Sequence, residues 1–258
     1  MKNRMLYSAI KNEGIMGGVA HISGRIFGSP KYIRPASTID FRSAGLTPAA
    51  SSLQFISLLL GIEDENLVST TFTQAKAAIN QIKKRETNYL PNPERWNSGL
   101  ELQYILTTLV LILKPSVVVE TGTANGASAA AIATALEINN FGHLWSFDIA
   151  QSELVLVPKE LQSKITFVKV NGSPVDLKKE IAKIPFTRLG EKSIFLHDSD
   201  HSYFGQESDY LIASSIGFTY ILSDDVDASL AFCNFANAKG IICFDPPKFI
   251  GGLRNSET

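Results

Sequence analysis

Two short stretches carry most of the residues suited to chemistry. HDSDHSY, residues 197–203, places Asp198 three positions before His201, and SDD, residues 223–225, ends in the pair Asp224-Asp225. Each continues directly from a run of apolar residues. An acid and an imidazole three apart in a bend after a strand can face one pocket. There carboxylates hold a hard cation through oxygen, and the imidazole moves a proton. The set reads as a magnesium site, Asp198, Asp224 and Asp225, beside a base, His201. A plainer reading stands next to it, because an aspartate ahead of a helix caps it, as Asp224, Asp225 or Asp227 would. Asp198 could bind a cofactor with no metal present, and His201 could be structural, held by Tyr203 or Asp200. His197 points away from its neighbours in a strand, and His143 and His21 have no supporting neighbours, so these three read as structural.

Other apolar runs also end in polar residues. VVETGTANGAS, residues 118–128, puts Glu120 ahead of Gly122 and Gly126; LWSFDIA ends its run at Asp148; a further run stops at Asn171-Gly172. In an open parallel sheet ligands collect beyond the carboxyl ends of the strands, where the strand order reverses. Four of these five ends carry a carboxylate, which disfavours a polyphosphate and suits a cation, hydroxyls or a metal. The bend itself is G-x-x-x-G, without the middle glycine of the dinucleotide fingerprint and without a Gly-Lys-Ser/Thr ending. Glu120 offers a counter-charge to a sulfonium or ammonium, the helix N-terminus after Gly126 offers amides to a carboxylate, and Asp148 can accept from ribose hydroxyls. S-adenosylmethionine combines all of these groups.

Such residues need a frame. Short apolar runs at Val117–Glu120, Leu144–Asp148, Ile165–Val170, Ile194–His197, Tyr220–Ser223 and Gly240–Phe244 read as strands. Helical spacing separates most of them, at Ser128–Glu137, Asp176–Ile184, Gln206–Ser215 and Ala228–Ala238, and Ser98–Leu113 precedes them all. Strands alternating with crossover helices imply a parallel sheet covered on both faces. The short link in CFDPPKFIGGLRN predicts a final hairpin instead. Before residue 98, Thr47 is expected to cap a helix with Pro48 in its first turn, running to Gly61. A second helix is expected over Thr71–Lys84, with Lys83, Lys84 and Arg85 at its end. NYLPNPERWN reads as a connector, with Trp96 a packing residue, and the first forty-odd residues show no sustained period.

Composition narrows the partners. A formal net charge of −1 over 258 residues gives no broad cationic field for nucleic acid or an anionic membrane, so a small ligand is expected. Two cysteines, Cys233 and Cys243, are too few for a disulfide framework or a zinc site and read as buried free thiols. The greasiest stretch, Leu100–Leu113, falls short of the ~20 residues that a bilayer requires. A soluble cytoplasmic protein is the expectation.

On VVETGTANGAS, LWSFDIA, FLHDSDHSY, ILSDDV and the terminal hairpin, the chain resembles a class I S-adenosylmethionine-dependent methyltransferase from about Ser98 to Asn255. The resemblance implies a Rossmann-like, doubly wound α/β sheet of seven strands with an antiparallel last strand. It implies cofactor contacts at Glu120, Gly122, Thr123, Gly126, Asp148, Asn171, Gly172 and Asp198, with Ser128 either a contact or a cap. The D-x-x-H and the later acidic pair are similar to those of metal-dependent small-molecule O-methyltransferases, particularly those acting on sugar hydroxyls of natural products. There Asp198, Asp224 and Asp225 would hold magnesium, and Asp198 and His201 would be the catalytic pair. Residues 98–258 would be the methyltransferase domain. Residues 1–97 would cover the acceptor pocket or build a dimer interface. Three rival readings are a metal-independent methyltransferase acting on nitrogen or another nucleophile, a non-catalytic cofactor-binding protein, and a nicotinamide-dependent reductase.

Overall fold

The computed structural model describes residues 39–83, 90–92, 97–185, 192–245 and 248–255. The first forty-odd residues and Trp96 therefore fall largely outside the described part, as do Lys84 and Arg85. Eight strands form one sheet: β1 Thr47–Ala49, β2 Val117–Thr121, β3 His143–Asp148, β4 Ile165–Lys169, β5 Ile194–His197, β6 Tyr220–Ser223, β7 Ile241–Asp245 and β8 Lys248–Arg254. Their order across the sheet is β1-β7-β8-β6-β5-β2-β3-β4. Pairing is parallel except where β8 lies antiparallel between β6 and β7. The doubly wound reading and the final hairpin are thus both met.

Helices α1 Ser52–Leu60, α2 Glu65–Lys83, α3 Leu100–Leu113, α4 Ala127–Asn139, α5 Pro174–Ile181, α6 Tyr203–Ile216 and α7 Ala231–Ala236 cover the two faces. A 3-10 turn over Lys159–Lys164 leads into β4. Strand alternation assigns the faces. Val118, Ile194, Leu196, Tyr220 and Leu222 join the core under α1 to α4. Val117, Val119, Phe195 and Ile221 join the core under α5 to α7. Alanines run through α4 where it meets α3, and the helices approach closely enough for Thr107 Oγ1 to donate to the Ala131 carbonyl at 3.2 Å. In β8, Gly251 and Gly252 leave room for one ring on each face. A Cβ would stand 2.7 Å from Phe232 Cζ at Gly251 and 2.7 Å from Phe55 Cζ at Gly252.

One early expectation is corrected. Thr47 and Pro48 are strand residues, pairing in parallel with Ile241 and Ile242 of β7, so the sheet gains a strand beyond the seven implied. The helix begins only after its cap residue Ser51, whose side chain accepts from the Gln54 amide, and is closed as expected by Gly61, in the left-handed conformation. Proline is tolerated in β1 because, among the described residues, β1 is an edge strand with no ladder partner on its outer side. Cys233 and Cys243 are buried free thiols, and no helix among the described residues is long and apolar enough to cross a membrane.

Candidate active site

The strand order reverses at β2, from which the chain winds first through β3 and β4 and then, on the other side, through β5 and β6. The β2–α4 loop is fastened to both neighbours. Gly122 N donates to Phe147 O at 2.8 Å, and Asp198 N donates to Thr121 O at 2.9 Å. Gly122 has φ 90°, and a Cβ there would lie 1.8 Å from the Asp198 carbonyl oxygen. Only glycine fits such an approach. Gly126, also at φ 90°, turns the chain into α4 beneath Val157 and Leu154.

Asp148 holds this loop from β3. Its Oδ2 accepts from Thr123 N at 2.8 Å and from Ala124 N at 3.0 Å, while Oδ1 accepts from Ala150 N at 2.9 Å. Two amides of the kind that cradle a phosphate are therefore already bound to a carboxylate. Thr123 is buried, its hydroxyl 2.6 Å from that of Ser146. Ser146 donates to Glu120 Oε1 at 2.5 Å. Ser128 also hydrogen-bonds Glu120, so it serves the acid and does not cap α4, whose cap residue is Gly126. Glu120 has no exposed surface, and its Oε2 has no hydrogen-bond partner among the described residues. Burial, slightly reinforced by the Asp148 charge and opposed by both serines, pushes its carboxyl up to about 7. Asn171 and Gly172 lie apart, at the end of β4. Asn171 Oδ1 accepts from Ser173 N and its amide donates to Asp176, which shapes the start of α5.

Asn125 gave no signal in the sequence, yet it fastens the connector to the loop. The side chain is fully buried. Its Oδ1 accepts from Asn92 N at 3.0 Å, and its Nδ2 donates to Asn92 O at 3.1 Å and to Asn97 Oδ1 at 2.8 Å. Asn125→Ala removes three hydrogen bonds and is expected to cost about 2–3 kcal/mol. Hydrogen exchange at the Asn92 amide should accelerate, whereas Asn125→Asp, which keeps the acceptor, should largely preserve its protection. Unchanged exchange in the alanine variant would refute the clamp.

Beyond β5 and β6 the expected acids do converge. His201 Nε2 lies 3.8 Å from Asp198 Oδ1 and 3.5 Å from Asp225 Oδ2. Below it is a buried network that the sequence reading missed. Asp209 Oδ2 meets His197 Nδ1 at 2.7 Å, and it accepts from Thr121 Oγ1 at 2.7 Å and from Ser199 Oγ at 3.2 Å. The His197 ring stands 5.5 Å from that of His201. Asp245, another buried acid, ends β7 at the same edge; burial raises its carboxyl above the ordinary range.

The pocket also holds a cation that the metal reading had not counted. Lys248 Nζ donates to Asp224 Oδ2 and stands 3.7 Å from Asp225 Oδ2. Burial pushes the Lys248 ammonium down, but Asp224, Asp225 and Asp198 more than offset this and hold it above its ordinary range. Burial pushes Asp224 up to about 6 against the pull of Lys248, and burial, then the Asp224 charge, holds Asp198 well above the usual range. Two unit charges 4 Å apart interact by about 4 kcal/mol at an effective dielectric of 20, and a divalent ion would double the repulsion from an ammonium. Asp198, Asp224 and Asp225 therefore do not fit magnesium while Lys248 stands among them. Among the described residues no three His, Cys, Asp or Glu side chains form a group that could hold a metal ion. The three aspartates expected to hold a metal thus face a lysine ammonium in this structure.

No protein-family model matches the chain, and no curated protein does. Solved structures similar to it include the methyltransferase PaMTH1 of Podospora anserina with SAH bound. That match has 12% identity and TM-score 0.47, over 71% of this chain and 88% of the other. The O-methyltransferase from Bacillus cereus in complex with SAH is similar at 15% identity and TM-score 0.47, over 78% and 96%. The O-methyltransferase TomG from Streptomyces achromogenes, involved in tomaymycin synthesis and in complex with SAM, is similar at 13% identity and TM-score 0.45, over 72% and 90%.

Proposed function

We propose that the protein transfers a methyl group from S-adenosylmethionine to a hydroxyl oxygen of a small molecule, without a metal ion. One observation carries the reading. Glu120 is wholly buried at the topological switch point with one carboxylate oxygen lacking a partner, while Asp148 takes the loop amides that a diphosphate would need. That arrangement favours a cationic ligand over a dinucleotide.

When bound, S-adenosylmethionine supplies an electrophilic methyl carbon. The chain's own residues do the rest. Glu120 provides the counter-charge beneath the loop. His201 Nε2, facing Asp198 and Asp225, accepts the proton of the acceptor hydroxyl as that oxygen bonds to the methyl carbon. The breaking carbon–sulfur bond leaves its electron pair on sulfur, giving S-adenosylhomocysteine and a methyl ether. The two carboxylates stabilise the imidazolium that results. Holding oxygen and methyl carbon in line would supply much of the rate. The magnesium-assisted form would need Lys248 displaced, and the geometry favours the form without it. Residues 1–97 would contribute to the acceptor side, and the cytoplasm is the compartment this reading suits.

Calorimetric titration tests the reading directly. S-adenosylmethionine should bind the protein, and NADH should not. His201→Asn should lower turnover by about 10²–10⁴-fold with cofactor affinity unchanged within about twofold. Binding of NADH in place of S-adenosylmethionine would overturn the proposal.

A further inference from the structure

We infer that Lys248 is the resident cation of the acidic pocket, a tethered ammonium standing where Asp198, Asp224 and Asp225 would otherwise gather a divalent ion. The sheet explains its position. β8 runs antiparallel between β6 and β7, so its first residue begins at the edge where those two strands end, and Lys248 pairs in register with Asp245. From there its ammonium donates to Asp224 and approaches Asp225 to 3.7 Å. The Lys248 side chain is 16% exposed and that of Asp224 is 0% exposed, so the contact is shielded from solvent. The other carboxylate oxygen of Asp224, Oδ1, is buried without a hydrogen-bond partner among the described residues. A carboxylate buried this way needs a cation beside it, and the fold supplies one covalently.

Lys248 also separates two roles that the sequence motifs run together. The acids balance a fixed charge and orient His201, and no ion has to be recruited before the acceptor enters. As far as catalysis is concerned, this deepens the methyltransferase reading and rests on it. The occupancy of the pocket by Lys248 does not.

Manganese provides the test, read as loss of the free-ion electron paramagnetic resonance signal. The full-length parent should leave that signal unchanged at millimolar Mn²⁺. Lys248→Ala should bind about one equivalent, since removing the ammonium leaves the buried Asp224 carboxylate without its cation, with Asp225 close by, and a hard cation can replace it. Lys248→Arg, which keeps a positive charge, should stay silent like the parent. Stoichiometric binding by the parent would overturn the inference, and so would a folded Lys248→Ala that binds nothing. If Lys248→Ala folds only with Mn²⁺ present, that rescue supports the inference. If it never folds, the parent titration decides alone: silence supports, binding overturns. None of these readings involves methyl transfer, so failure of the proposed activity and failure of this inference would look different.

Discussion

Gly122→Ala is expected to lose more than about 4 kcal/mol of stability, a cost that belongs to the exceptional class of single substitutions. Two effects add. The residue sits at φ 90°, where a side chain is strained, and its Cβ would lie 1.8 Å from the Asp198 carbonyl oxygen. Neither partner can yield easily. Gly122 N is tied to β3 and Asp198 N to β2 by backbone hydrogen bonds of 2.8 and 2.9 Å. Relief requires parting the two loops that frame the site, so ligand binding should fail together with stability. Gly172→Ala is the internal comparison. It too has a positive φ, of 77°, but its Cβ would meet only Ile149 Cγ2, at 3.2 Å, and a cost of about 1–2 kcal/mol is expected. Urea denaturation of the two variants settles the matter, and equal stabilities would show that the close approach to Asp198 is not the constraint described.

Glu120→Gln is expected to stabilise the fold and to weaken the ligand. Burial raises this carboxyl to about 7 from its ordinary 4.5. The folded state therefore keeps a proton that the unfolded chain has released, and parent stability falls as pH rises from 4.5 to 7. Below 4.5 both states are protonated and the term vanishes; above 7 it is constant. At about 1.36 kcal/mol per pH unit across that window, the deficit above pH 8 is about 3 kcal/mol. Glutamine carries no such term, so the variant should match the parent near pH 4 and exceed it at pH 8 by up to that amount. Toward S-adenosylmethionine the order should reverse, with affinity reduced about tenfold or more, roughly 1.4 kcal/mol. The parent should release roughly half a proton on binding at pH 7, because a cation pulls the Glu120 carboxyl back down. Calorimetry in two buffers of different ionisation enthalpy reads that release, and the variant should show none from this source. A variant less stable than the parent at pH 8 would contradict the burial argument.

Much of the frame was legible because it rests on periodicity that local sequence preserves. Val117–Thr121, Ile194–His197 and Tyr220–Ser223 alternate between two cores, and their runs of apolar residues marked them within a residue. β1 was not legible. Three residues give no period, and Pro48 after a hydroxyl residue looks like a helix start, whereas pairing with β7 decides the matter from the far end of the chain. The acids and His201 could be placed together because strand ends in a parallel sheet share one edge. Asn125, Asp209 and Lys248 were harder. Asn125 lies inside a glycine bend whose side-chain partners, Asn92 and Asn97, come from a connector with no pattern of its own. Asp209 sits within α6, where a lone acid ordinarily faces water, but here it turns toward His197 and Thr121. Lys248 was open to inference. Once the final hairpin is drawn, its first residue must fall at the acidic edge, and counting register across β7 would have set the lysine beside the aspartates.

The pairing of β1 with β7 also bears on how the protein is made. During synthesis residues 47–49 emerge long before residues 241–243, their partners in the sheet among the described residues. The β1–β7 pairing therefore closes late, at the entropic cost of joining two distant parts of the chain. β6 shows a bare flank until β8, its neighbour on that side, has been made as well. A nascent chain stalled after β6 would carry an unprotected strand edge, the kind of surface that chaperones shield and that pairs wrongly with other copies.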